Sequence, residues 1–95
     1  MPQLSRAEID RELDRLTGWA YEDGAIRRTF VFPGFPAAIA FLQRLVPVAE
    51  AASHHPDITV QYRHVTLAYV THDEGGVTLK DFDGAREADR LSGEA

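Results

Sequence analysis

The stretch EAASHHPDITVQY, Glu50 to Tyr62, sets two of the chain's four histidines side by side, immediately before a proline. A third, His72, stands further on among Thr71, Asp73 and Glu74, just ahead of Gly75-Gly76. Histidine titrates near neutrality, so a trio can divide acid and base roles in a proton-transfer reaction. Glu50 and His54 are four residues apart, and if a helix runs to Ser53 or His54 they share a face and are expected to interact. His55 precedes Pro56, whose ring pushes it out of helical angles into an extended conformation. The two neighbouring rings should therefore diverge, which suits two walls of a pocket better than two ligands of one ion. Asp81 lies three residues after Thr78, so it can close a capping box with one oxygen while the other orients a histidine. The plainer alternative is that His54 and His55 form a polar helix stop, His72 a strand end, Asp81 a cap and Glu50 a solvated helix residue. His64 falls in a turn and is expected to take no part.

The elements that must carry these residues fit one domain spanning residues 1–95, since a chain of this length is too small for a second core. With 44% hydrophobic and 26% charged residues the balance is that of an ordinary globular chain. The formal charge is -5 and the arginines are scattered, so no phosphate-tracking patch is present and direct nucleic-acid binding is not expected. Without cysteine there are no disulfides, thiolate metal sites or cysteine nucleophile. The start MPQLSRAEIDREL lacks the pattern of a signal peptide. No apolar stretch approaches the ~20 residues that span a bilayer, so no membrane partner is expected and the cytoplasm is the expected compartment.

Ser5 and Glu8 form an S-x-x-E capping box, with Leu4 and Ile9 as a staple, opening a helix whose face is Ile9, Leu13 and Leu16 and which ends at Gly18. WAYEDGAIRRTFVF reads as a hairpin about Asp23-Gly24, with Trp19 and Tyr21 as core or interface aromatics. A long helix is predicted from about Pro36 to Ser53 with Pro47 inside it, which should remove one backbone hydrogen bond and kink it, at a cost of about 3 kcal/mol if nothing compensates. ITVQYR and HVTLAYVTH form a second hairpin with Val65, Leu67 and Tyr69 on one face. Thr78 and Asp81 then open a short C-terminal helix, weakened by Gly84. The order is α-β-β-α-β-β-α, an α+β fold in which a four-stranded antiparallel sheet carries its helices on one face.

Glu50-x-x-x-His54-His55-Pro56, then Tyr62, Thr71-His72, Gly75-Gly76 and Asp81 resembles the pterin-4a-carbinolamine dehydratase family, whose animal members also serve as a dimerisation cofactor of a homeodomain transcription factor. The likeness runs from the first Leu-Ser pair through Gly18-Trp19 to the last helix. It implies a hydro-lyase that removes water from 4a-hydroxytetrahydropterin, giving quinonoid dihydropterin, in the recycling of the pterin used by aromatic amino acid hydroxylases. It implies His54, His55 and His72 as catalytic histidines with Asp81 as the accompanying acid, and no metal or organic cofactor. Pterin contacts would come from Glu50, His54, His55 and Pro56, and from Thr71, His72, Asp73 and Glu74. A homodimer or homotetramer is expected, since pairing two exposed sheet edges across a twofold axis would cover them, and a hydroxylase is a possible partner. Arg63 departs from the asparagine that the family usually carries after Tyr62, and Pro47 falls in a helix that packs against other subunits in some members.

Two rival readings stand beside the enzyme. One is a noncatalytic dimeric interaction or adaptor module on the same fold. The other is a metal-binding protein using His54, His55, His72 and Asp81, against which the diverging directions of His54 and His55 speak.

Overall fold

The Ser5 capping box forms as expected: Ser5 N–H donates to Glu8 Oε1 at 2.8 Å and Glu8 N–H donates to Ser5 Oγ at 3.2 Å. Hydrogen bonding from the Ser5 backbone N–H, and next from its side chain, holds the Glu8 carboxyl below the usual carboxylate range. The computed structural model describes residues 2–93. Helix α1 spans Arg6–Leu13. Strands β1 (Ala20–Glu22) and β2 (Ala25–Val31) follow, joined by Asp23-Gly24, both at positive φ as a two-residue hairpin of this twist demands. Then come α2 (Phe35–Ala52), β3 (Asp57–Gln61), β4 (His64–Tyr69), a 3₁₀ turn over His72–Glu74 and α3 (Leu79–Gly93).

The four strands are antiparallel in the order β1-β2-β4-β3, which gives the α+β fold expected. Ile26, Phe30, Val65, Leu67 and Tyr69 on the inner sheet face meet Ile9 of α1, Phe41 and Leu45 of α2, and Phe82, Ala85 and Ala88 of α3 in one cluster. Trp19 belongs to it, and its indole N–H bonds Asp89 of α3 at 2.9 Å while Arg28 of β2 pairs with the same carboxylate at 2.6 Å. Arg63 does not disturb the second hairpin: its carbonyl and guanidinium both bond the backbone of Phe32, tying the turn to the end of β2.

Two expectations need correction, while the long helix forms as expected with Pro47 inside it. The C-terminal helix is not short; α3 has 15 residues, because Gly84 is a point of close approach rather than a weak spot. A Cβ at Gly84 would lie 2.6 Å from Cε1 of Tyr69, so only glycine lets the ring lie against the helix. Helix α2 runs through Pro47 as one 18-residue element. Pro47 and Gln43, whose carbonyl loses its intrahelical donor, are both exposed, so water can serve that carbonyl and the cost stays local. Helix α2 is also long and apolar enough to cross a membrane by length and composition, with mean hydropathy 1.2. Its Ala38, Phe41 and Leu45 join the core cluster and Arg44 bonds the Leu91 carbonyl of α3, the arrangement of a core helix with part of its apolar surface uncovered.

Candidate active site

The end of α2 decides where the histidines go. Ser53 adopts the left-handed conformation (φ 51°, ψ 40°). Its N–H donates to the Glu50 carbonyl and the His54 N–H to the Ala49 carbonyl, the paired bonds of a Schellman motif. The helix therefore stops before His54, and the expected Glu50–His54 pair does not form. His55 meets Glu50 instead, Nε2 to Oε2 at 2.5 Å, with both side chains largely in solvent. His54 turns the other way, toward α3, and its Nε2 lies 2.5 Å from Oδ1 of Asp81. The two rings diverge as Pro56 predicts.

Asp81 has no exposed surface, yet both its oxygens are used. Oδ1 faces His54, while Oδ2 accepts from the Thr78 backbone N–H at 2.8 Å and from the Thr71 hydroxyl at 2.9 Å. Thr71 Oγ1 spends its proton on Asp81, so it accepts from Thr78 Oγ1, 2.9 Å away, which in turn accepts from the Lys80 N–H. The bonds run in one direction, from the first turn of α3 into the carboxylate. Because an acceptor-only carboxylate sits at Nε2, that atom carries the His54 proton and Nδ1 is left as the ring's second acid–base nitrogen. The Tyr69 ring, tilted 30° with centroids 6.0 Å apart, backs the imidazole.

A polar cavity of about 300 Å³ opens in front of this network, lined by His54, His55 and His72 together with Thr71, Asp73 and Lys80. His72 begins the 3₁₀ turn, exposed, with no side-chain hydrogen bond among the described residues. Asp81 stands behind His54 rather than on the cavity wall. Thr71 borders the cavity, but its hydroxyl is committed inward. Glu50 and Pro56 instead line a separate pocket of about 180 Å³ between α2 and β3, which His55 also touches. Glu74, in the same turn as His72, lines neither. His64 is exposed at the opposite end of β4. Among the described residues no three His, Asp or Glu side chains converge where they could hold a metal ion, so His54, His55, His72 and Asp81 do not make one ligand set. Lys80 was not foreseen, and Thr78 was foreseen only as a helix cap; that Lys80 is the chain's one lysine, beside Asp81 in a helix's first turn, was the available signal.

Residues 2–91 match the family model described as Pterin 4 alpha carbinolamine dehydratase. The chain belongs to the pterin-4a-carbinolamine dehydratase family. A protein of Roseiflexus sp. (strain RS-1), provisionally named a pterin-4-alpha-carbinolamine dehydratase, is 52% identical over 89 residues, covering 94% of this chain and 96% of that one. One from Chloroflexus aurantiacus (strain ATCC 29366 / DSM 635 / J-10-fl), named in the same way, is 50% identical over 93 residues, covering 98% of this chain and all of that one. Among solved structures, the transcriptional coactivator/pterin dehydratase from Brucella melitensis superposes with a TM-score of 0.91 at 34% identity, covering 95% of this chain and 98% of that one. A pterin dehydratase-like protein described as a RuBisCO assembly factor in the alpha-carboxysome shares the fold at a TM-score of 0.65 and 21% identity, covering 79% of this chain and 87% of that one. Within the pterin dehydratase family, then, this chain carries two histidine–carboxylate pairs, one buried and one in solvent, whose histidines both line one polar cavity.

Proposed function

We propose that the chain dehydrates 4a-hydroxytetrahydropterin to quinonoid dihydropterin and water by histidine acid–base catalysis. The observation that carries this reading is the cavity onto which His54, His55 and His72 all open, with His54 held in one tautomer by buried Asp81. In the reaction a protonated imidazole donates to the 4a-hydroxyl, the C4a–O bond breaks with its electron pair leaving on oxygen, and water departs. A neutral imidazole takes the proton from a ring N–H, whose electron pair fills the vacancy at C4a. Two groups that titrate near neutrality suffice. His54 or His55 serves as the acid and His72 as the second proton-transfer group. The physiological setting that suits this chemistry is recycling of the pterin of an aromatic amino acid hydroxylase.

A homodimer accompanies this reading. Strand β3 is exposed on both faces and, among the described residues, hydrogen-bonded on one side only, with Ile58 and Val60 uncovered beside Leu67 and Val65. A second β3 across a twofold axis would complete the sheet, and the uncovered Val46 and Pro47 face of α2 would support a further pairing to a tetramer. The same exposed surfaces favour the second reading, an interaction module on this fold. That role accords with the description of the Brucella relative as a transcriptional coactivator.

The deciding experiment follows 4a-hydroxytetrahydropterin loss by ultraviolet absorbance after a hydroxylase generates it. Wild type should accelerate the step, and His55→Ala and His72→Ala should each lower the rate by about tenfold or more. No acceleration by folded wild type would overturn the enzyme reading in favour of the module.

A further inference from the structure

A larger cavity, about 650 Å³, adjoins the polar one, between the C-terminal part of α2 and the N-terminal half of α3. His54 and Lys80 line both. On the α2 side its wall is apolar, made by Pro47, Val48, Ala51 and Ala52. Tyr69 also borders it, though the residue is only 2% exposed. A Cβ on Gly84, which lines the same cavity, would stand 3.0 Å from Tyr69 Cζ, so the hydroxyl-bearing edge of the ring lies along the groove side of α3. The hydroxyl makes no hydrogen bond among the described residues, whereas a buried tyrosine ordinarily finds a partner. Nor is it sealed off. Arg44 Nε is the one fully occluded side-chain nitrogen or oxygen without a partner among the described residues, so the Tyr69 oxygen keeps accessible surface, and the groove is the cavity it borders. Burial, aided by Asp81 and Asp89, pushes the Tyr69 phenol above its ordinary range, so it stays a donor.

We propose that this groove is the subsite for the substituent on the pterin ring, built for a neutral, apolar or aromatic group carrying one acceptor for the Tyr69 hydroxyl. The inference rests on the pterin reading of the polar cavity. A bicyclic head held against the histidines places its substituent toward His54 and Lys80, where the two cavities meet. The charges on the groove's α3 side are mostly spent within the helix: Asp83 faces Arg86 at 3.4 Å and Glu87 pairs with Arg90 at 2.7 Å, leaving Lys80 at the junction. A cationic substituent therefore has little to gain there, and an anionic one meets only Lys80, at the junction rather than along the apolar wall. A short side chain would leave the apolar wall wet, whereas an aromatic one would displace that water.

The test is equilibrium binding of 6-methyl-7,8-dihydropterin and of 6-[(4-carbamoylanilino)methyl]-7,8-dihydropterin, read by fluorescence on wild type, Tyr69→Phe and Ala52→Trp, with circular dichroism to confirm folding. Wild type should bind the carbamoylanilino compound about tenfold or more tighter, the effect of burying several tens of Å² of apolar surface. Tyr69→Phe should reduce that preference by roughly 2- to 10-fold, the worth of one hydrogen bond. Ala52→Trp, at an exposed position on the groove wall, should abolish most of it by filling the space. Equal affinities in wild type, or a preference that neither variant changes, would overturn the subsite while leaving the pterin site intact. Failure of both compounds to bind would instead overturn the pterin reading itself, and the subsite with it.

Discussion

His54 Nε2 and Asp81 Oδ1 stand 2.5 Å apart, the carboxylate wholly buried and the imidazole side chain 12% exposed. Removing one partner of a buried pair strands the other, at a cost of roughly 3–5 kcal/mol. Asp81→Asn keeps the shape but offers His54 an amide in place of a carboxylate. It should lower the melting temperature by roughly 10 °C or more and the dehydration rate by about tenfold or more, read by thermal melts and the absorbance assay. Thr78→Val cuts the hydrogen-bond chain at its far end and should show the same two effects in smaller degree, with a displaced pH–rate profile. Thr78→Ser should restore all three, whereas a merely steric role for Thr78 would leave the profile where it was.

The neighbouring pair behaves in the opposite way. His55 and Glu50 have side chains 59% and 69% exposed, and such ion pairs contribute little to stability. Glu50→Gln and His55→Ala should leave chemical denaturation midpoints nearly unchanged. The rate should still fall in His55→Ala, so activity and stability separate at His55 and move together at Asp81. Equal destabilisation of the two would contradict the assignment of one pair to the interior and one to solvent.

Tyr69 gives the fold an alkaline limit. Its folded value lies above the unfolded one near 10, so at higher pH the folded chain retains a proton that the unfolded chain has released. Its contribution is intact below about pH 10 and is lost as pH rises beyond that. Urea midpoints measured at pH 8.5 and pH 11 should therefore fall further in wild type than in Tyr69→Phe. Parallel losses would show that burial of this phenol is not what limits the fold in alkali.

The exposed edge at β3 is open to direct test. Ile58→Lys places a charge on a strand whose outer hydrogen-bonding side is unpaired among the described residues, and it should shift the proposed dimer toward monomer in sedimentation velocity. An unchanged oligomer would move the interface to the uncovered face of α2, where Val46→Glu is the corresponding variant.

Local signals carried most of the architecture. The Ser5 and Thr78 caps, the Asp23-Gly24 turn and the alternation through Val65, Leu67 and Tyr69 each depend on residues a few positions apart, and each is visible in the sequence. What escaped was the pairing of carboxylates with histidines. Periodicity places Glu50 below His54, but Ser53 takes a left-handed conformation that glycine or asparagine would normally announce, and that one residue rotates His54 toward α3. Tyr69 and Gly84 escaped for a related reason. A glycine in a helix reads as a weakness until the ring that needs its missing Cβ is known, and that ring comes from another element. The reach of Lys80 to both cavities, and the turning of Thr71 inward, are likewise set by tertiary contact.

The strand order β1-β2-β4-β3 also has a kinetic consequence. Its outer pairs are hairpins closed by two-residue turns, whereas the central seam joins Ile26 to Tyr69 and Val31 to His64 across the whole of α2. Loop-closure entropy makes the hairpins the cheap contacts and the seam the costly one, so the barrier to folding should consist largely of docking one preformed hairpin on the other. Every residue assigned to the polar cavity or its buried support lies between Ser53 and Asp81, on the later side of that seam. The candidate site is thus encoded in one half of the chain, and the other half acts as the template on which it closes.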